Sequence, residues 1–150
     1  MSPAMAKLFT LKEAEKLIPE LQSLISEAIS LKAEYAEAES DLQGTSRRIM
    51  MLGGAYVDQA QMLALKNRRA ASMARLKEAI ENIQNLGCLV KDLDTGLVDF
   101  PTLLRGAEVY LCWKLGEPSI QFWHRIEDGF RGRQKIDQDF LDNHAGDRPN

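Results

Sequence analysis

The chain has 150 residues, of which 45% are hydrophobic and 27% are charged, and its formal net charge at pH 7 is -3. This composition predicts a single globular domain and disfavours a general nucleic-acid binder, which usually has a basic domain or stripe. The sequence has no run of about 18 apolar residues and no signal-peptide pattern, so we expect a cytoplasmic protein without a membrane span.

The two cysteines, Cys88 and Cys112, form neither a C-x-x-C pair nor a zinc-type spacing. We expect both to be reduced thiols that pack as small buried hydrophobic side chains. Nucleophilic catalysis by Cys112 needs a nearby base, and the strand register predicted below turns this side chain away from His124.

The first predicted element is a long helix that begins after Thr10. Thr10 and Glu13 fit a capping box, in which the hydroxyl and the carboxylate satisfy free backbone N–H groups. Apolar residues then alternate at spacings of four and three, as in the seam of a coiled coil with one packed edge. They are Leu17, Leu21, Leu24, Ala28, Leu31, Tyr35, Ala38 and Leu42. Isoleucines at 18, 25 and 29 widen this stripe, so the helix has room for more than one partner.

A second helix is predicted from about Tyr56 to Leu86, with Gly87 as its C-terminal stop. Two long helices joined by a modest loop most simply form an antiparallel hairpin. Arg69 occupies an apolar position of the second helix, and we expect it to reach a carboxylate near Glu34 and Glu37.

The predicted loop between the helices, from Gln43 to Ala55, is bracketed by Gly44 and by the glycines at 53 and 54. It contains the apolar run Ile49 to Leu52, which is unusual for a loop. This run could fold back, extend a helix or meet a partner.

After the second helix, the apolar pattern changes to a period near two and predicts four short strands. They cover residues 88–91, 97–100, 106–114 and the stretch up to 126. A small meander needs cover on one face, so we predict an α+β fold with a long antiparallel helical hairpin packed on a C-terminal antiparallel β-meander. The single domain 1–150 would then divide into the hairpin at about 10–86, the β-meander at about 87–136 and a frayed tail at 137–150.

The alternation of apolar residues in the last two strands predicts one register. It pairs Trp113 with Ile120, Leu111 with Phe122, and Val109 with His124. The opposite face would then carry Tyr110 beside Trp123, an aromatic pair that could stack a ligand.

Asp99 and His124 are the strongest candidates for chemistry, and they meet if the second strand lies beside the last hairpin. Such a pair could hold a divalent metal ion or act in acid–base catalysis. The plainer interpretation, which we favour at this point, is a histidine at the edge of the core bonded to a carboxylate or carbonyl. Glu117 is no partner for His124, because seven strand residues at about 3.3 Å each separate them by roughly 20 Å.

Several of these segments together resemble a bacterial family of uncharacterised proteins, classed as a domain of unknown function. The resemblance rests on the capped start of the first helix and on a C-terminal signature. The signature is VKD at 90–92, GLVDFP at 96–101, VYLCW at 109–113, GE at 116–117, WH at 123–124 and FRGR at 130–133. The resemblance covers about residues 8–136 and implies an α+β protein of the bacterial cytoplasm, without an established activity.

The expected function is therefore a binding or scaffold role without enzymatic activity, in a homodimer that uses helix faces left over after the hairpin forms. The first alternative is a small metal-dependent or acid–base enzyme centred on Asp99 and His124. The second is RNA binding through the hairpin arginines, although residues 1–86 hold 11 basic and 11 acidic side chains.

Overall fold

A computed structural model describes residues 7–54 and 58–147. Two long helices come first, and an antiparallel sheet follows, so the predicted α+β class is confirmed. The elements are α1 (Leu11–Met51), α2 (Gln59–Gln84), β1 (Leu89–Asp92), β2 (Leu97–Leu104), β3 (Ala107–Lys114), β4 (Phe122–Arg125), β5 (Gln134–Lys135), α3 (Gln138–Asn143) and β6 (His144–Ala145), with a 3-10 turn over Phe130–Gly132.

The chain divides into two compact units. The sheet unit comprises residues 1–26 and 82–150, and the hairpin unit comprises residues 27–81. The sheet runs in the order β1-β2-β3-β4-β5, with β6 paired to β2. The sequence predicts the first four of these strands in this order.

The sheet is covered on both faces at its centre. Five consecutive residues of β3, from Val109 to Trp113, are buried, which a strand with one solvated face does not show. The segment that leads into α1 supplies part of the cover, since the rings of Phe9 and Phe100 meet edge to face at 5.3 Å. Glu15 of α1 adds a polar contact, because its carboxylate accepts the N–H of Ile120 at 2.8 Å.

The capping box at the start of α1 is confirmed. The Thr10 hydroxyl accepts the N–H of Glu13 at 3.1 Å, and the Glu13 carboxylate accepts the N–H of Thr10 at 2.9 Å. This backbone hydrogen bond to the charged carboxylate lowers the pKa of Glu13 below its ordinary value.

The second strand continues through Pro101 to Leu104, whereas the sequence predicts a strand that ends at Phe100, before Pro101. Proline lacks an N–H group, so it suits a strand position that has no neighbouring strand on one side to accept a hydrogen bond. At Pro101 the strand pairs with β3 only, since its pairing with β1 ends at Asp99 and its pairing with β6 starts at Leu103. The Pro101 carbonyl accepts the N–H of Phe9 at 2.7 Å instead.

The tail predicted to fray from residue 137 is folded up to residue 147. Asp137 caps α3 by accepting the N–H of Phe140 at 2.9 Å, and the Phe140 side chain is buried. His144 then accepts the N–H of Leu11 at 3.0 Å, which ties the tail to the first turn of α1. The sequence does not reveal this tie, because the bond between His144 and Leu11 joins residues 133 positions apart. Residues 148–150 lie outside the described part.

In the hairpin unit, α1 continues through Gly44 to Met51, so the predicted break at Gly44 is wrong. A single helical glycine costs about 1 kcal/mol relative to alanine, which a long packed helix tolerates. The helix ends where Gly53 and Gly54 adopt φ of 71° and 70° and donate to the carbonyls of Met50 and Ile49. The apolar run therefore mostly extends the helix. The predicted second helix starts at Tyr56, which lies outside the described residues; α2 is described from Gln59.

The two helices of the hairpin unit are antiparallel, as three ion pairs between them demonstrate. The pairs are Arg68–Asp41 at 2.6 Å, Arg69–Glu39 at 3.3 Å and Arg75–Glu34 at 3.9 Å. Residue numbers rise along α2 as they fall along α1. Arg69 thus has the expected carboxylate partner, but the partner is Glu39 rather than Glu34 or Glu37.

Candidate functional site

The observed register between β3 and β4 differs by one residue from the predicted one. Tyr110 pairs with His124, and Leu111 pairs with Trp123. The prediction failed because β3 is buried on both faces, so its apolar pattern does not favour one face. Ile120, which the prediction paired with Trp113, precedes the four-residue strand β4 and donates its N–H to Glu15.

This register places three chemically active side chains on one face of the sheet. Asp99 pairs with Cys112 across β2 and β3, and His124 lies on the same face of β4. Their relative exposures are 1%, 0% and 2%, and one ligand atom of each lies within 4.8 Å of the others. The expectation that Cys112 faces away from His124 is therefore wrong. We call Asp99, Cys112 and His124 the sheet cluster.

The two ring nitrogens of His124 have different partners. Nδ1 lies 2.7 Å from the carbonyl oxygen of Arg125, while Nε2 lies 3.0 Å from both carboxylate oxygens of Asp99. A carbonyl oxygen only accepts, so Nδ1 carries a proton. In a neutral ring, Nε2 then points a lone pair at two carboxylate oxygens. This contact is favourable only when a proton or a cation lies between the nitrogen and the carboxylate.

Burial suppresses the reactivity of both cysteines. It raises the pKa of the Cys112 thiol to about 12, an effect that the Asp99 charge strengthens and the Arg133 charge opposes. Burial likewise raises the pKa of Cys88 to about 11. Both residues are free thiols, and neither ionises readily at neutral pH, so a nucleophilic role for the sulfur has no support.

Aromatic residues flank the sheet cluster on its own face. The Tyr110 ring stands edge-on to the His124 ring at 5.6 Å, and the Lys91 ammonium lies 5.0 Å from the Tyr110 ring. Burial raises the pKa of Tyr110, and the negative charges of Glu108 and Asp99 raise it further. Its phenol therefore remains neutral at physiological pH.

The predicted aromatic pair of Tyr110 and Trp123 does not form. Trp123 pairs with Leu111 and lies on the opposite face of the sheet, where its ring is 5.3 Å from that of Phe140. The one-residue change in register separates the pair, because neighbouring residues of a strand point to opposite faces. Trp123 thus belongs to the packing of α3 rather than to the sheet cluster.

Two charged residues beside the sheet cluster, Arg133 and Glu117, are not among the site residues that the sequence predicts. Arg133 donates to Glu117 at 2.6 Å and to the carbonyl oxygen of Cys112 at 3.3 Å. Glu117 lies in the turn after β3, where the sequence places it, and also accepts the N–H of Lys114 at 2.8 Å. The FRGR motif and the GE motif hold these two residues, but neither motif by itself indicates that they meet.

The hairpin unit has a different kind of surface. Large apolar side chains are exposed near its end: Met50 and Met51 by 79% each, Leu52 by 66% and Leu63 by 60%. A groove of about 660 Å³ is lined in part by Leu42, Met50 and Met51. The basic residues Arg68, Arg69 and Arg75 are engaged in ion pairs with acidic residues of α1.

Across residues 7–54 and 58–147, none of the helices has the length and hydropathy that crossing a membrane requires. No curated protein and no solved structure matches the chain. A family described as an uncharacterized conserved protein (DUF2203) matches residues 7–136. Since these residues make up most of the sequence, the chain belongs to this family.

Proposed function

We propose that the protein binds one divalent transition-metal ion through Asp99, Cys112 and His124, in a binding role without catalysis. The observation that carries the proposal is the orientation of the His124 ring. Metal-binding histidines almost always donate the proton of their other nitrogen to a carboxylate, carbonyl or water. In His124, Nδ1 donates to a backbone carbonyl while Nε2 faces the Asp99 carboxylate.

The donor atoms of the sheet cluster suit a borderline or soft metal. Zinc lies about 2.0–2.3 Å from nitrogen, oxygen and sulfur ligands, which places neighbouring donors roughly 3–4 Å apart. In the sheet cluster, His124 Nε2 lies 3.0 Å from Asp99 Oδ1, and one ligand atom of each of the three residues lies within 4.8 Å of the others. Small movements of these side chains would bring all three donor atoms to the distances of a zinc site. One sulfur, one imidazole and one carboxylate favour Zn²⁺ or Co²⁺ over Mg²⁺ and Ca²⁺, which prefer oxygen ligands.

Burial of the sheet cluster supports a binding role over turnover. Three protein ligands leave one position of a tetrahedral ion for water. Asp99, Cys112 and His124 are almost completely enclosed by the described part of the chain, which disfavours access of a substrate to that position. The metal-dependent or acid–base enzyme centred on Asp99 and His124 therefore ranks behind a metal-binding protein.

Cobalt titration of chelator-treated protein tests the proposal. We expect one Co²⁺ per chain, an absorption band from the thiolate–cobalt bond and a rise in melting temperature. Cys112→Ser should abolish the band, and Asp99→Asn and His124→Gln should weaken binding. Cys88→Ser and His144→Gln are matched controls, since they change the other cysteine and the other histidine. If the folded wild type binds neither Co²⁺ nor Zn²⁺, the proposal fails and the sheet cluster is a hydrogen-bonded part of the core.

A second candidate role is self-association through the hairpin unit. The exposed Met50, Met51, Leu52 and Leu63 support it, because large apolar patches commonly mark protein interfaces. A second copy of this chain is the proposed partner, in line with the homodimer expected from the wide apolar stripe. RNA binding has less support, since the arginines at 68 and 69 are paired with carboxylates.

Sedimentation over a range of concentrations tests self-association. We expect a dimer for the wild type and a shift towards monomer for Met51→Glu. Leu141→Glu is the control, because Leu141 is an exposed apolar residue of the sheet unit. A wild type that remains monomeric at high concentration would contradict the homodimer.

The cellular location is part of the same proposal. Two free thiols fit a reducing compartment such as the bacterial cytoplasm that the family resemblance implies. Fractionation of cells that express the intact gene tests this location. Recovery in the periplasm or the medium would contradict it.

A further inference from the structure

We infer that Arg133 is the positioning residue of the sheet cluster: it fixes Cys112 as a metal ligand and closes the site on the sulfur side. This inference rests on the proposed metal binding and adds a residue outside the ligand set. It begins from the unusual surroundings of the Arg133 side chain, which is only 12% exposed although arginine is rarely buried.

The guanidinium of Arg133 is held by two aromatic rings and two oxygens. Its central carbon lies 4.1 Å from the centre of the Phe122 ring and 4.7 Å from that of Phe130. One nitrogen, Nη2, donates to the Glu117 carboxylate and to the Cys112 carbonyl. Stacking together with an ion pair immobilises a side chain that otherwise has many rotamers.

These contacts act on Cys112 from two directions. Phe122, on which the guanidinium stacks, is the direct partner of Cys112 across β3 and β4. The hydrogen bond to the Cys112 carbonyl fixes the backbone that carries the sulfur. Displacement of Arg133 therefore frees both the backbone and the neighbouring ring of this ligand.

The Arg133 side chain also retains an unused hydrogen-bond donor. Nε is buried and has no hydrogen-bond partner within the described part of the chain, a state that costs about 1–3 kcal/mol for a buried polar group. A metal-bound sulfur carries no proton and accepts hydrogen bonds, and the unused Nε of Arg133 is the donor that we assign to the Cys112 sulfur.

Glu117 completes the arrangement from the turn after β3. It accepts hydrogen bonds from Arg133 and from the backbone of Lys114, so the guanidinium is tied to the end of the strand that carries Cys112. The positive charge of Arg133 is thereby balanced locally. The two positive charges of a divalent ion are likewise balanced by the Cys112 thiolate and the Asp99 carboxylate. This balance limits the cost of burying the ion and the Arg133 guanidinium.

Cobalt binding to Arg133 variants of the full chain tests this inference. We expect Arg133→Gln to weaken Co²⁺ binding about 10–100-fold, the usual effect of losing a group that supports a metal ligand. The thiolate–cobalt band should also shift, which a general loss of stability does not cause. Arg133→Lys should recover part of the affinity, because lysine retains the charge without the planar fork. Arg131→Gln is the matched control, since Arg131 is an exposed residue of the 3-10 turn directly before Arg133.

Phe130→Leu provides a second test if Arg133→Gln does not fold. It removes one stacking ring at an exposed position and retains both hydrogen bonds of the guanidinium. We expect a smaller loss of affinity in the same direction. If the wild type binds Co²⁺ and all these variants bind it with unchanged affinity and spectrum, the positioning role is wrong while metal binding stands. A wild type that binds no metal overturns both.

Discussion

Each of the two compact units contains a carboxylate paired with a basic side chain, and the two pairs differ sharply in their surroundings. In the sheet unit, Asp99 and His124 meet at 3.0 Å with side chains 2% and 3% exposed. In the hairpin unit, Arg68 and Asp41 meet at 2.6 Å with each side chain nearly half exposed. The exposed pair keeps most of its hydration, whereas the buried pair has lost it and depends on its neighbours.

The apolar side chains differ between the units in the same way. The sheet unit encloses several large ones, such as Trp113, Phe100 and Phe140, whereas the hairpin unit exposes Met50 and Met51. Desolvated polar groups in a rigid core support binding chemistry, and exposed methionines support association with another surface. These differences support the proposals of metal binding by the sheet unit and self-association by the hairpin unit, and stability measurements can test the contrast between the units.

The largest predicted effect is the loss of stability when the buried pair is broken, compared with the loss when the exposed pair is broken. Asp99→Ala or His124→Ala should lower the free energy of unfolding by about 3–5 kcal/mol, because each leaves an unpaired polar group in the core. Arg68→Ala should lower it by about 1 kcal/mol or less, because water solvates the remaining carboxylate. Urea denaturation of chelator-treated protein measures both values.

A double-mutant cycle determines whether the buried pair acts as a unit. The combined Asp99→Ala and His124→Ala variant should lose clearly less stability than the sum of the two single variants, since neither partner is left alone. Additive losses would show that the contact contributes little, and the two units would then not differ in the strength of their charged pairs.

The next largest effect concerns the apolar side chains of the two units. Phe140→Ala should lower the free energy of unfolding by about 3–5 kcal/mol, as for other large buried aromatic residues. Met51→Ala should change it by about 0.5 kcal/mol or less in the monomer, because the side chain is exposed. Thermal melting at low protein concentration compares the variants. Similar melting temperatures for Phe140→Ala and the wild type would mean that α3 is not part of the packed core.

Local patterns of the sequence predicted the helices well, because their signals lie within a few residues of each other. The capping box of Thr10 and Glu13 and the seam up to Leu42 indicate α1 without any knowledge of the sheet. The end of this helix was missed because Gly44 carries the same signal as a true stop. Only the positive φ values at Gly53 and Gly54 mark the real end, and these depend on the three-dimensional backbone.

The sheet cluster was predicted in part, and the missing part has a specific cause. The approach of Asp99 to His124 follows from strand order, because β2 and β4 flank the same strand, β3. Cys112 was placed on the wrong face since the register was chosen from apolar alternation, which a strand buried on both faces does not provide. Arg133 was missed because its partner Glu117 lies 16 residues away in a turn.

The smallest predicted effect is the stability that the capping box at the start of α1 adds to the sheet unit. We expect the contribution of Glu13 to depend on pH. Thr10→Ala should lower the free energy of unfolding by about 0.5–2 kcal/mol at pH 7, the usual range for a lost N-cap. Glu13→Gln should lower it by about 0.3–1 kcal/mol, because glutamine can still accept the Thr10 N–H but lacks the negative charge at the helix start. Asp58, whose carboxylate accepts the N–H of Gln61 at 3.0 Å at the start of α2, caps the hairpin unit in a similar way. Asp58→Ala serves as the matched variant.

The pH dependence of the Glu13 contribution follows from its lowered pKa. The unfolded chain binds a proton at this carboxyl near its ordinary value of 4.5, whereas the folded chain does so only at lower pH. The contribution is therefore present above that value and disappears as the pH falls through the folded pKa. Urea denaturation at pH 7 and in acid should show the difference between wild type and Glu13→Gln shrinking in acid. A difference that stays constant between the two conditions would mean that the carboxylate charge does not stabilise the first turn of α1.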